Sequence, residues 1–158
     1  MHIRPATIAD ILHILSLERE SPTAGHWTEK QYRDVFQSEA QARLLLVAQA
    51  APPTAKGLDS DKASGILGFL IARQLPPEWE LENLVVVPGA RRKGIGKRLL
   101  SALLAAARKT DMRAVFLEVR ESNAAARALY ETAGFERIGR RYAYYTSPSE
   151  DAILYRRT

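Results

Sequence analysis

Residues 85–100 read VVVPGARRKGIGKRLL. An apolar run stops at Pro88-Gly89 and a basic loop with Gly94 and Gly96 follows. Ile95, Leu99, Ala102, Leu103 and Ala106 then recur with the 3.6-residue period of a helix. A strand, a glycine loop and a helix start in series aim free backbone N–H groups and the positive end of a helix dipole at one point, an arrangement suited to an anion. The spacing excludes two common phosphate loops. The nucleotide P-loop requires Lys and then Ser or Thr after its last glycine, where this chain has Ile95 and Gly96. The dinucleotide fingerprint requires a small residue where Leu99 stands, and it sits at a first β–α turn, whereas several strands precede this loop. What remains, Arg91-Arg92-Lys93-Gly94-Ile95-Gly96, has the form R/Q-x-x-G-x-G.

The distribution of charge points to the same place. The chain has 23 basic and 18 acidic residues, net +5. Between Pro88 and Arg113 eight basic residues stand against the single acid Asp111, so the rest of the chain is slightly acidic. An excess confined to one segment fits a compact polyanion better than a nucleic-acid duplex tracked over a broad face. At 158 residues, with 46% hydrophobic and 26% charged residues, the chain reads as one soluble globular domain, residues 1–158. The absence of cysteine removes disulfides, thiolate metal sites and any acyl-cysteine intermediate. The first helix pattern carries Asp10, Glu18 and Glu20, which fits neither a signal peptide nor a membrane span, and a cytoplasmic location is expected.

Periodicity away from the loop gives the order β-α-α-β-β-β-α-β-α-β-β. Thr7 and Asp10 open a helix bearing Ile11, Ile14, Leu15 and Leu17. Thr28 and Gln31 form a capping box for a second helix over residues 29–39, with Trp27 and Tyr32 at the staple positions. Strands are expected over residues 44–48, 66–74, 81–87, 114–119, 135–145 and 152–156, and helices over 95–109 and 123–133. Residues 51–64, rich in Pro, Gly and charge, read as a flexible hairpin loop. The fold class is α/β, with a mixed sheet.

The R/Q-x-x-G-x-G loop resembles the acyl-CoA pyrophosphate loop of the GNAT superfamily of N-acetyltransferases. Downstream, LEVR, SNAAA, ALYE, GF and EDAI occur in order between Leu117 and Ile153, and this region is similar to that of bacterial ribosomal-protein-alanine N-acetyltransferases. His26-Trp27-Thr28 resembles the family's Pro-Trp-Ser, and the likeness runs from Trp27 to Leu154. It implies a central mixed, mostly antiparallel sheet flanked by about four helices. It also implies acetyl-CoA as cosubstrate, no metal, and direct acetyl transfer to an amine in a ternary complex.

Acetyl transfer needs a neutral amine, a polarised thioester carbonyl and a proton for the departing thiolate. The resemblance makes Glu118 of LEVR the general base and Tyr130 of ALYE the general acid, and both residue types suit these tasks. It assigns the pantetheine arm to backbone groups of Leu84, Val85 and Val86. The pyrophosphate falls to Arg91, Arg92, Lys93, Gly94, Ile95, Gly96 and Lys97, and a further CoA contact to Asn123. Of the cluster Tyr142, Tyr144 and Tyr145, the first and last are the candidates for acceptor binding. His2, His13 and His26 lack any ligand spacing, so no metal site is expected.

The acceptor that the resemblance implies is a protein or peptide N-terminus, such as that of a ribosomal protein. A lysine side chain or a small amine such as a polyamine or aminoglycoside is the alternative. His26 in place of Pro, the long 51–64 segment, and Tyr155 in place of a commonly apolar residue separate this chain from the family pattern around the acceptor. A basic nucleic-acid-binding module is the non-enzymatic alternative, but no helix-turn-helix, zinc spacing or RNP-like aromatic run supports it. No nucleic-acid or membrane partner is expected, and a monomer is compatible with the sequence.

Overall fold

Side chains alternating with period two build a seven-stranded sheet, and 3.6-period stripes build four α-helices against it. The computed structural model describes residues 1–22, 24–37, 42–51 and 65–158. The elements are β1 (His2–Pro5), α1 (Ile11–Arg19), α2 (Glu29–Gln37), β2 (Arg43–Gln49), β3 (Ile66–Leu75) and β4 (Glu78–Val86), then α3 (Ile95–Arg108), β5 (Ala114–Arg120), α4 (Ala124–Thr132), β6 (Glu136–Tyr145) and β7 (Glu150–Arg157). The order is the one read from the sequence. The loop expected over 51–64 lies, beyond Ala51, outside the described residues. In the sheet the strands run β1-β2-β3-β4-β5-β7-β6, antiparallel at every junction except β4–β5.

Two cores lie on opposite faces. Leu99, Leu100 and Leu103 of α3 pack with Leu46, Leu70, Leu81, Leu117 and Ile153 on one face. Ile11, Ile14 and Leu15 of α1 and Tyr32 of α2 pack with Leu45, Val47, Phe69 and Ile71 on the other. Neighbouring residues of β2 thus serve different cores, as the pleat requires.

Strand β4 does not keep this parity. Trp79 and Leu81 fill the α3 core, whereas Val85 fills the α1 core and Asn83 bonds toward α1. The cause is a bulge: Leu81 stands opposite Ala72 and Asn83 opposite Ile71, so Glu82 is an extra residue that turns the strand over. Parallel pairing with β5 runs from Glu78↔Ala114 to Leu81↔Leu117 and stops at this bulge. Beyond it β4 stays with β3 to Val86, while β5 stays with β7 to Arg120. The sheet is therefore split between residues 82–86 and 118–120.

Local chemistry fixes the helix starts. Thr28 N–H donates to Gln31 Oε1 (2.8 Å) and Gln31 N–H to Thr28 Oγ1 (3.2 Å), while the Trp27 and Tyr32 rings close the staple at 5.2 Å. At the start of α1, Asp10 accepts from Thr7 N–H (2.8 Å) and from both ends of the Arg4 guanidinium (2.8 and 2.9 Å), tying β1 to the helix. The Arg4 hydrogen bonds hold the Asp10 carboxyl below its ordinary range. A lowered folded-state pKa gives stability that is present above the unfolded value of about 3.9 and lost as pH falls through the folded value. Asp10→Asn should therefore cost about 2 kcal/mol at pH 7. Denaturant titration should show the gap from the parent closing as pH drops below about 4.

Candidate active site

A cleft of about 840 Å³ occupies the split in the sheet. Its size suits an extended small-molecule ligand. Because the split passes between two strands, elements on both faces contribute walls: the Arg91–Lys97 loop and α4 from one, the connection from α1 to α2 from the other.

At the loop end, Gly94 caps α3 at φ +79°, after Arg92 at φ +65°. Both lie in the left-handed region, where a Cβ is unfavourable. The first α3 bond runs from Arg98 N–H to the Gly94 carbonyl (3.0 Å), which leaves the N–H groups of Ile95, Gly96 and Lys97 without helical acceptors. Gly96 lets α3 approach α4, since a Cβ there would stand 3.2 Å from Leu129 Cδ2. Arg91, Arg92, Gly94, Ile95, Gly96 and Lys97 line the cleft, and Lys93 does not.

Along β4, Val87 N–H donates across to the Leu67 carbonyl (2.9 Å). Alternation then turns the main-chain groups of Val85 toward β3 and those of Leu84 and Val86 into the split. Consistent with this, Arg91 Nε reaches the Val86 carbonyl (3.1 Å). All three residues border the cleft, but two of them direct their polar backbone into it.

Helix α4 brings Asn123 and Tyr130 to the same cavity. Asn123 Oδ1 accepts from Ala126 N–H (3.2 Å), so this residue caps the helix and lines the cleft together. The Tyr130 ring is buried against Phe135 and Tyr155, and burial holds its phenol protonated well above the ordinary range.

Glu118 follows Leu117, the last residue of β5 paired with β4, on the wall of the split. Its carboxylate is ion-paired with Arg141 Nε (2.8 Å), and its interaction with the Tyr144 hydroxyl raises the Tyr144 pKa. A bulge in β6 supplies these partners: Arg141 stands opposite Ala152 and Tyr145 opposite Glu150, so residues 142–144 face Asp151 alone. Asp151 pins the bulge, accepting from Ala143 N–H (2.8 Å), where φ is +48°, and from Arg140 (2.7 Å). Tyr144 and Tyr145 consequently line the cleft, and burial pushes the Tyr145 phenol up to about 12. Tyr142, the other candidate, does not line the cleft and is 82% exposed beside the Arg140 guanidinium. Tyr144 lines it instead, on the bulge that Asp151 holds.

The α1–α2 connection was not singled out as a site from the sequence. Ser21, Ala24, Gly25 and His26 border the cleft. Buried Glu18 anchors them, accepting at Oε1 from Trp27 N–H (2.9 Å), the Tyr32 hydroxyl (3.1 Å) and Asn83 Nδ2 (3.4 Å). Desolvation raises the Glu18 pKa. Its signal in the sequence is an acid that continues the apolar stripe Ile11, Ile14 and Leu15 at helical spacing. Among the described residues no cluster of His, Asp or Glu is placed to hold a metal ion, and no helix is long and apolar enough to cross a membrane.

Residues 10–135 match the Acetyltransferase (GNAT) family. The chain belongs to this family. It is 31% identical over 134 residues to the ribosomal-protein-bS18-alanine N-acetyltransferase of Haemophilus ducreyi, covering 80% of this chain and 92% of that protein. It is 44% identical over 87 residues to the N-alpha-acetyltransferase RimI of Mycobacterium tuberculosis, covering 55% of this chain and 53% of the relative. The chain thus spans about half the length of curated relatives it matches, and nearly all of the Haemophilus ducreyi protein. The crystal structure of the ribosomal-protein-S18-alanine N-acetyltransferase from Escherichia coli superposes with a TM-score of 0.75 at 31% identity, covering 98% of this chain and 91% of that one. GNAT acetyltransferases use acetyl-CoA, and the loop geometry generates a test with that ligand. Gly94→Val places a β-branched residue at φ +79° and should weaken acetyl-CoA binding about ten-fold or more, against a few-fold for Arg92→Ala, in calorimetric titration.

Proposed function

We propose that this GNAT chain transfers an acetyl group from acetyl-CoA to the N-terminal α-amine of a protein, with a ribosomal protein as the acceptor class. The observation that carries the reading is that Glu118 and Tyr130 border one cleft at the split between β4 and β5, with a basic glycine loop at its end. The relatives named for the alanine terminus of bS18 support this acceptor.

The free N–H groups at the start of α3, with Arg91, Arg92 and Lys97 beside them, suit the diphosphate of the donor. Lys93, exposed on the same loop, adds charge. Leu84 and Val86 offer main-chain groups to the pantetheine arm, Val85 packs beneath them, and Asn123 borders the arm's path. An α-amine has a reference pKa of about 8 against about 10.4 for lysine, so it needs less help to become nucleophilic at neutral pH. Glu118 takes the amine proton, directly or through one water, as nitrogen attacks the thioester carbonyl carbon. The C–N bond forms, the tetrahedral intermediate collapses with cleavage of C–S, and the thiolate leaves with the phenolic proton of Tyr130. Solvent returns the proton from Glu118 to Tyr130, so the products are the acetylated amine and free CoA thiol. Arg141 holds Glu118 before the acceptor arrives, and Tyr144 and Tyr145 flank the amine's approach.

The direct test uses a peptide beginning with alanine and containing an internal lysine, beside its N-terminally blocked twin. Thiol release and mass spectrometry should show acetylation of the free peptide alone, on its α-amine. Modification of both on lysine would overturn the acceptor assignment. Tyr130→Phe should lower kcat about 100-fold while acetyl-CoA affinity stays within about two-fold, and Glu118→Gln should lower kcat/KM most at low pH, where the amine is charged. Equal loss of acetyl-CoA binding in both variants would remove these roles.

A further inference from the structure

Tyr155 stands in β7 at a position where a phenylalanine would fill the same space. Its side chain is fully buried. Its hydroxyl donates to Glu131 Oε1 (2.6 Å) and accepts from Arg127 Nε (3.1 Å), two residues one turn apart on α4. Arg127 in turn donates to the Glu121 carbonyl (3.1 Å) in the connection between β5 and α4. The bridge therefore links β7, α4 and the end of β5.

Tyr130 immediately precedes Glu131. Its ring centroid lies 6.3 Å from that of Tyr155 and 5.8 Å from that of Phe135. Among the described residues no hydrogen bond fixes its hydroxyl, so these ring contacts and the placement of α4 set where the phenol points. Helix α4 has nine residues. A small slide along its axis would carry the Tyr130 hydroxyl with it, and misplacement of a reacting group by about 1 Å can cost about 100-fold in rate. A part-buried polar bridge is a modest source of stability, because its groups must also leave water. What it supplies is direction: it fixes one register of α4 on β7.

We propose that Tyr155 is a positioning residue for Tyr130, holding the phenol at the depth where it meets the departing sulfur. This rests on the proposed role of Tyr130 as proton donor. It also gives a function to a tyrosine that departs from the family pattern.

The test compares steady-state kinetics of the full chain with Tyr155→Phe, Tyr130→Phe and both together, using acetyl-CoA and the alanine-initiated peptide. Tyr155→Phe should lower kcat about ten-fold with KM for both substrates and acetyl-CoA affinity within about two-fold, and with Tm within about 3 °C of the parent. In the Tyr130→Phe background it should cause no further loss. Glu131→Ala breaks the bridge from the exposed side of the helix without opening a core cavity. It should reproduce the kcat loss, and Glu131→Gln, which still accepts the Tyr155 proton, should restore most of it. An unchanged kcat in Tyr155→Phe, or the same fold loss in both backgrounds, would overturn the positioning role. Full kcat in Tyr130→Phe alone would remove the proton-donor reading instead, and the positioning role with it.

Discussion

Parallel pairing between β4 and β5 ends after Leu81↔Leu117, and every feature of the cleft follows from that short ladder. Glu82 is the extra residue that ends it, turning β4 over so that Asn83 and Val85 leave the α3 core for the α1 side. Two strands that part inside a sheet leave main-chain donors and acceptors without partners, which is costly unless another group takes them. Arg91 takes one of them, the Val86 carbonyl. The others face a cavity that passes through the sheet, so an extended ligand can pair with β4 as a strand would. Glu82 itself is held by Arg43 (3.0 Å), and Arg73 lies beside it, so the bulge is braced from β2 and β3.

The split gives the cleft two chemically different ends. On the α3 side, cationic side chains and unpartnered N–H groups make a surface for negative charge. On the β5–β6 side, Glu118, Tyr144 and Tyr145 line it with a carboxylate and two phenols. Arg141 lies on Glu118 and over the Tyr144 ring at 5.7 Å, so the carboxylate is paired without being buried in protein alone. With Arg141 about half exposed, the exchange of one cation for another at that carboxylate is an inexpensive step.

Element order was legible in the sequence because it depends on local signals: the Thr28 capping box, the α3 stripe and the glycines that close helices. The phosphate-type loop was legible for the same reason, since Gly94 and the free helix start are neighbours in the chain. Both bulges were not. Glu82 keeps the alternation of buried and half-buried residues unbroken while it moves Val85 to another core. Residues 142–144 depend on Asp151, eight positions after Ala143, and on Arg140 for their course. Which of Tyr142, Tyr144 and Tyr145 line the cleft depends on that bulge and cannot be counted along β6. The contribution of Ser21–His26 depends on Glu18 meeting Asn83, 65 residues away, a contact that no local pattern announces.

Two buried side chains, Glu18 and Tyr155, carry polar ties to elements that border the cleft for a common physical reason. Apolar packing is non-directional and tolerates sliding, so it fixes a core better than it fixes a register. Glu18 ties the α1–α2 connection to β4 from one face, and Tyr155 ties α4 to β7 from the other. Each joins an element bordering the cleft to a strand of the sheet. Desolvation works against the first pair, as the raised Glu18 pKa shows, and three hydrogen bonds to one oxygen offset it. A sheet opened at its centre needs such ties, because the ladder that would otherwise hold the two halves in register is the one that the site has given up.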